Sequence, residues 1–229
     1  VRLELSVECP EDLSLLLLKK FALTERDLYR LNGPIDLRRL EAIYQKVDRP
    51  DLKWAPLVPH APQALRRGAD LFAAMRAQGS VLLHHPFESF APIVALVQQA
   101  ATDPQVLAIK QTLYRAVPES PIVEALVQAA HAGKQITAVV ELRARFSEDQ
   151  NLHVARRLEA AGARVVYGAL EHKAHAKMLL VARSEGEEGD ARTRRYVHVG
   201  TGNYHHDPLQ PTTDLSLLTC DPAVAADVE

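Results

Sequence analysis

Cysteine is scarce in this 229-residue chain, which holds only Cys9 and Cys220, with no C-x-x-C pair. That scarcity argues against a disulfide scaffold or a cysteine-built zinc site, and it suits a reducing cytoplasm. Long apolar runs are missing as well. The "LSLLLL" stretch at Leu13–Leu18 falls far short of the roughly 20 residues of a membrane-spanning helix, and no secretory signal pattern opens the sequence. An excess of positive charge is also absent. Lys and Arg total 27 against 29 Asp and Glu, a net charge of −2, which disfavours a globally basic nucleic-acid binder and leaves room for a local basic patch. What remains is ordinary globular material, 47% hydrophobic and 24% charged, long enough to bury a substantial core. The expectation is a soluble intracellular protein with no transmembrane segment.

The chain divides into zones of different pattern. Residues 1–50 open with an alternating "VRLELSVE" strand, and a strand at the first residue suggests a chain that begins mid-domain. "PEDLSLLLLKKFALTERDLYRLNG" is helical in pattern, with Pro10 opening it and Asn32-Gly33 closing it. Residues 51–67 read as an extended linker, because prolines at 50, 56, 59 and 62 remove donors and block helix. From residue 68 to 229 short apolar strands alternate with helices. Strands are expected at 81–86, 106–115, 135–145 and 163–168, with helices at 92–101, 121–133 and 151–162 between them. Strand–helix–strand units of about 30 residues imply parallel pairing with right-handed crossovers. Three later strands, "HAKMLLVA", "RRYVHVG" and "TDLSLLT", lack long intervening helices, so the sheet becomes mixed. The fold class is α/β: a mixed sheet flanked by helices, preceded by a small α+β fragment.

Ligands in such sheets gather outside the carboxyl ends of parallel strands. Here His84-His85, Tyr114-Arg115 and Arg143 with Arg145 stand at strand ends, the pattern of an anion site. Within "EHKAHAKM" a period of two turns His175 and Lys177 to one strand face. An imidazole can attack phosphorus while an ammonium neutralises its non-bridging oxygens. "GTGN" at Gly200–Asn203 then offers close backbone approach and an amide donor. Spacing alone leaves two readings open, a phosphate site or a solvated His and Lys on an edge strand. His172 has no lysine two positions on and is the weaker candidate. His205-His206-Asp207 reads as loop, His198 as structural within its strand, and Tyr114 as either stacking or packing.

The order H-x-K, strand, then G-T-G-N resembles a half-site of the phospholipase D superfamily. The segments "LLHHPFESF", "IKQTLYR", "SPIVEALVQAAHAGKQ", "VELRARF", "ARRLEAAGARVVYG", "HAKMLLVAR", "YVHVGTGNYH" and "TDLSLLT" occur together and in order. On these the chain resembles the catalytic core of bacterial polyphosphate kinases, a phospholipase D-like family, over most of residues 48–220. "DRPDLK" and the stretch before it resemble the end of that family's head domain. The resemblance implies a phospholipase D-like half-domain and reversible transfer of the terminal phosphate of ATP to inorganic polyphosphate through a phosphohistidine. ATP or ADP and polyphosphate are the partners it implies, and Mg2+ the cofactor. The phosphorylated histidine falls on His175, with Lys177 and Asn203 as supporting contacts. The family's magnesium-linked arginines fall on Arg115 and Arg145. A guanidinium cannot ligate a cation, so these two read as forks on the phosphate oxygens beside the ion, with Arg143 extending the basic patch.

Two departures stand out. No second H-x-K follows any other histidine, although phospholipase D-like sites pair two half-sites. After GTGN the family pattern carries lysine, threonine, arginine and tyrosine where this chain has Asp207, Pro208, Gln210 and Thr212. Ser147 also replaces an aspartate. A truncated family member with weak turnover in isolation is therefore expected. One alternative is a phosphodiesterase or nuclease completed by homodimerisation, so that the chain would act as a homo-oligomer. The other is a non-catalytic polyanion-binding module.

Overall fold

In the computed structural model, which describes residues 2–66, 68–115, 117–144, 147–168, 173–186, 192–204 and 213–229, two units separate at Pro56 and Leu57. The break falls inside the proline-rich stretch. In the first unit, strand β1 (Leu3–Ser6) pairs in parallel with β2 (Leu28–Leu31) in the register Leu3↔Leu28. Helix α1 (Glu11–Lys20) links them, with Glu11 and Asp12 in its first turn and Lys19 and Lys20 in its last, matching its dipole. The long helix expected from residue 10 to 33 is thus a helix, a turn and a strand. Ala22 takes a left-handed φ of 53°, and Asp27 accepts the Thr24 backbone N–H at 2.8 Å, starting a new turn. Residues 28–31 then satisfy their backbone groups on β1. A ladder to a partner strand outweighs the local helical pattern. Helix α2 (Glu41–Lys46) completes this unit.

In the second unit the alternation becomes a seven-stranded sheet. Helix α3 (Leu71–Gln78) leads into β3 (Ser80–His85), followed by α4 (Ala91–Thr102) and β4 (Val106–Leu113). Next come α5 (Pro121–His131), β5 (Gln135–Val140), α6 (Glu148–Ala160) and β6 (Arg164–Tyr167). Strands β7 (Lys177–Glu185), β8 (Arg192–Gly200) and β9 (Asp214–Thr219) and helix α7 (Pro222–Val228) finish the chain. The sheet order is β3-β9-β8-β7-β4-β5-β6. Strands β4, β5 and β6 are parallel to one another, while the pairs from β3 through to β4 are antiparallel. The expected mixed α/β sheet is therefore present.

Strand parity sorts the two faces. Val181 and Leu179 of β7 pack in the main core with Leu96, Leu126 and Leu158 from α4, α5 and α6. Leu180, one residue out of phase, packs instead with Val197 and with Ala225 of α7 in a second cluster. Helix starts follow their caps: Asp70 accepts the Ala73 N–H at 3.0 Å, and Ser120 precedes Pro121 at the head of α5. Among the described residues no helix is long and apolar enough to cross a membrane.

Candidate active site

Register brings the polar residues to one edge of the sheet. Strands β4 and β5 end at Leu113 and Val140, and antiparallel β7 begins beside them at Lys177. Lys177 pairs with Gly200, Gly200 with Ser216, and Asp214 with His85. Residues more than a hundred positions apart in sequence thus share one rim.

At that rim Lys177 and His175 meet. The Lys177 Nζ lies 3.0 Å from each ring nitrogen of His175 and donates to the His175 carbonyl oxygen at 2.7 Å. His175 is exposed, whereas Lys177 is 4% exposed. Burial lowers the Lys177 pKa, and the nearby Asp214 carboxylate opposes that shift. His175 precedes the strand rather than belonging to it, since β7 starts at Lys177. Its segment is tied to β4 through Thr112, whose Oγ1 donates to the Ala176 carbonyl at 2.8 Å and accepts the Met178 N–H at 2.9 Å.

Tyr114 sits among these groups. Its ring meets the His175 ring edge-on at 5.0 Å, and the Lys177 ammonium lies 5.3 Å from its centroid. The Arg115 guanidinium lies 5.7 Å from the same ring, and Arg115 has a left-handed φ of 55°. A tyrosine face so placed attracts both cations and limits the rotamers of the imidazole.

The Gly200–Asn203 turn is shaped by side chains beneath it. A Cβ at Gly200 would lie 3.1 Å from the His198 ring, and one at Gly202 would lie 2.7 Å from the Asp214 carboxyl carbon. The close approach expected of these glycines is therefore to the protein's own His198 and Asp214. Thr201 Oγ1 donates to Asp214 Oδ1 at 2.8 Å and accepts the Leu215 N–H at 2.9 Å.

A buried hydrogen-bond chain underlies the turn. The Glu88 carbonyl faces His85 Nδ1 at 2.7 Å, so that nitrogen carries the proton and Nε2 is an acceptor. Ser216 Oγ then donates to His85 Nε2 at 2.9 Å and accepts from His198 Nε2 at 2.9 Å. His198 Nδ1 is left to accept from the Tyr204 hydroxyl at 2.7 Å. This order makes both imidazoles neutral. Burial pushes the His198 pKa down to about 3, with a smaller contribution from His85. Burial likewise raises the Tyr204 hydroxyl well above its usual value, partly offset by a hydrogen bond from Gln111.

Residues 70–229 match the family model "Polyphosphate kinase C-terminal domain 1". Polyphosphate kinases of Burkholderia vietnamiensis and Xylella fastidiosa are each 50% identical to the chain over 228 residues, covering 100% of it. The chain belongs to the polyphosphate kinase family. It spans about a third of the length of these relatives, 33% and 32% respectively. The crystal structure of polyphosphate kinase from Porphyromonas gingivalis superposes on 99% of the chain and 34% of its own length, with a TM-score of 0.77 at 26% identity.

The site residues expected from the sequence are gathered unevenly. His175, Lys177 and Arg115 with Tyr114 are brought together, and Asn203 ends the turn that follows Gly200 beside Lys177. Arg143 does not lie on a strand as expected, because β5 ends at Val140. There the Glu141 carboxylate accepts the Arg143 backbone N–H at 2.7 Å and turns the chain out of the sheet, leaving Arg143 exposed in a loop. Arg145, His172, His205, His206, Asp207, Pro208, Gln210 and Thr212 lie outside the described residues. His85 is buried in the hydrogen-bond chain, while His84 packs its ring on Phe87 at 4.9 Å. Sequence reading passed over Glu141, Asp214 and Ser216. The start of a strand in "TDLSLLT" could have flagged Asp214, but no local signal marks the other two.

Among the described residues no group of three His, Cys, Asp or Glu could hold a metal ion. Glu141 is engaged by backbone amides, Asp214 by Thr201, and a guanidinium offers no lone pair. The described side chains therefore form no dedicated cage for Mg2+, and a magnesium ion would depend mainly on oxygens supplied by phosphate.

Proposed function

We propose that this chain carries the phosphoryl-accepting part of a polyphosphate kinase, with ATP and inorganic polyphosphate as substrates and His175 as the acceptor. The observation that carries this reading is the Lys177 ammonium held 3.0 Å from the His175 ring, at a rim that also presents Arg115. In the first step a neutral imidazole nitrogen attacks the terminal phosphorus of ATP. The N–P bond forms, the bridging P–O bond breaks, and ADP leaves with that oxygen. In the second step a terminal oxygen of polyphosphate attacks the same phosphorus, the N–P bond breaks, and the polymer grows by one unit. Each step inverts the phosphorus and both are reversible.

Lys177 neutralises non-bridging oxygens at close range. Its burial removes competing water, so its charge acts through a lower local dielectric. Arg115, Arg143 and Arg145 supply forked donors to the polyphosphate chain. Asn203 contributes an amide donor. A magnesium ion accompanying the nucleotide would be held by phosphate oxygens and would supply charge neutralisation there. His198 and His85 are not acceptors in this reading, because all four of their ring nitrogens are already committed to hydrogen bonds. Residues 68–229 would form the catalytic half-domain and residues 1–50 the end of a head-like domain. Turnover by the chain alone is expected to be slow, given one H-x-K and the Asp207–Thr212 run.

The test is incubation with terminally labelled ATP and Mg2+, comparing the wild type with His175→Ala. Acid-labile, base-stable label on the wild type and none on the variant is the expected result. Label that persists in His175→Ala, or a wild type that takes up none, overturns the reading.

A further inference from the structure

Beneath the basic rim lies a buried negative charge. Glu141 is 3% exposed and stands one residue past the end of β5. A carboxylate placed there opposes a phosphate group through Coulomb repulsion, and burying it costs desolvation energy as well. Its hydrogen bonds show what offsets those costs. Oε1 accepts the Arg143 N–H at 2.7 Å, and Oε2 accepts the Ala174 N–H at 2.7 Å. One bond ends on the loop that carries Arg143, and the other on the residue just before His175. Both oxygens are used, each on a different loop.

The backbone of Glu141 is itself anchored on both sides, and its carboxylate is given room. The Glu141 N–H donates to the Leu113 carbonyl at 3.1 Å, fixing it to the end of β4, two residues before Arg115. Its carbonyl accepts from Asn151 Nδ2 at 2.7 Å, and Asn151 is fully buried on α6. A Cβ on Gly168 would come within 2.8 Å of Oε2, so the loop after β6 leaves room for the carboxylate. Bonds to a charged acceptor at this distance are short and strong.

We propose that Glu141 is a positioning residue, whose carboxylate sets the spacing between the His175 segment and the Arg143 loop so that imidazole and guanidinium address one phosphate. The role rests on the reading of His175 as phosphoryl acceptor. It accounts for an anion under an anion site, because neither a neutral amide nor a shorter acid makes both bonds. Glu141→Gln keeps one acceptor oxygen and turns an NH2 group toward the second N–H. Glu141→Asp keeps both oxygens but withdraws them by one methylene.

The experiment follows single-turnover labelling of His175 from ATP and Mg2+ in the wild type, Glu141→Gln and Glu141→Asp. It is paired with binding of inorganic tripolyphosphate, thermal melting, and the amide resonances of Arg143 and Ala174. A displacement of about 1 Å can cost roughly 100-fold in rate. The expected result is a labelling rate lowered about 30- to 100-fold in Glu141→Gln, with tripolyphosphate affinity within about 3-fold of wild type. Glu141→Asp is expected to recover part of that rate. In the wild type both amide protons resonate far downfield, and both move in Glu141→Gln. Unchanged labelling in a folded Glu141→Gln overturns the proposal, as does a loss of rate matched by an equal loss of affinity. If Glu141→Gln fails to fold, Glu141→Asp decides by the same two criteria. A wild type that takes up no label refutes the acceptor reading instead. The amide resonances then decide the positioning role alone, and movement of only one of them overturns it.

Discussion

The Lys177 ammonium donates to the carbonyl oxygen of His175 at 2.7 Å while lying 3.0 Å from both nitrogens of the His175 ring. One cation thus fixes the backbone of the candidate nucleophile and shares the space into which a phosphate would come. On phosphate arrival the ammonium can exchange its ring contact for an oxygen without moving its stem. This geometry leads to the first prediction.

Lys177→Met should retain most of the fold, because the stem packs in the same buried position while the charge is lost. Labelling of His175 is expected to fall about 100- to 1,000-fold, the scale for losing one preorganised stabilising donor. Rapid-quench labelling and a thermal melt check this together. Melting near the wild type with unchanged labelling would remove Lys177 from the proposed chemistry.

The burial of His198 predicts an acid-sensitive step in stability. Its pKa is about 3 when folded, against 6.5 for an ordinary histidine, so the unfolded chain binds the proton first on acidification. The stabilisation is fully present above pH 6.5 and is lost as pH falls toward 3, at a slope of up to about 1.4 kcal/mol per pH unit. Chemical denaturation at pH 7.5, 6, 5 and 4 measures it. Replacement by Gln should flatten the slope over that range by close to one proton. Imidazole 15N shifts should also show a neutral ring protonated on Nε2 throughout pH 5–8.

A half-buried acid sits at the far end of the sheet. Burial would raise the Glu185 pKa, but hydrogen bonds from Tyr196 and Arg183, with the charges of Arg76 and Arg194, hold it below the usual carboxylate range. Its Oε1 lies 2.7 Å from Arg76 Nη1 and 2.9 Å from Arg183 Nη1, while Oε2 lies 3.0 Å from Arg194 Nε. Glu185→Gln leaves Arg76 and Arg194 short of a counter-charge, while Arg183 keeps Asp103 at 2.8 Å, and should destabilise the protein by about 1–2 kcal/mol. Urea unfolding reads this directly. Labelling of His175 by the folded fraction should be unaffected, since this cluster lies at the opposite end of β7.

Gly202→Ala is expected to displace the turn that carries Asn203. The added Cβ would lie 2.7 Å from the Asp214 carboxyl group, closer than real Cβ atoms approach. Overpacking of this kind costs about 1–3 kcal/mol. Here it should also lower tripolyphosphate affinity, which isothermal titration would measure. A variant with wild-type stability and affinity would show that Asp214 can yield.

Much of the architecture was legible because it is local. Apolar residues recur at helical or strand spacing through 92–101, 106–115 and 121–133, and elements form there. The failures occur where a partner decides. Residues 28–31 carry a helical pattern yet pair with β1. The strand expected through Arg145 stops at Val140, because Glu141 bends the chain onto its own carboxylate. In the candidate site, His175 and Lys177 were marked by their spacing, and Arg115 by its place at a strand end. The pairing of His198 with Ser216 and Tyr204 was not marked, since Ser216 arrives from the neighbouring strand β9.

The sequence by itself determined the α/β class, the H-x-K and G-T-G-N run, and membership of the polyphosphate kinase family, since periodicity and motif order are properties of the chain. Only the tertiary structure decided which polar groups are stripped of water and what each then bonds. Lys177 is buried while His175 is exposed, His198 is held neutral, and Glu141 is committed to two backbone amides. Desolvation depends on what distant segments lay over a residue, and a hydrogen bond depends on where both its atoms end. Neither is written at the position that feels it.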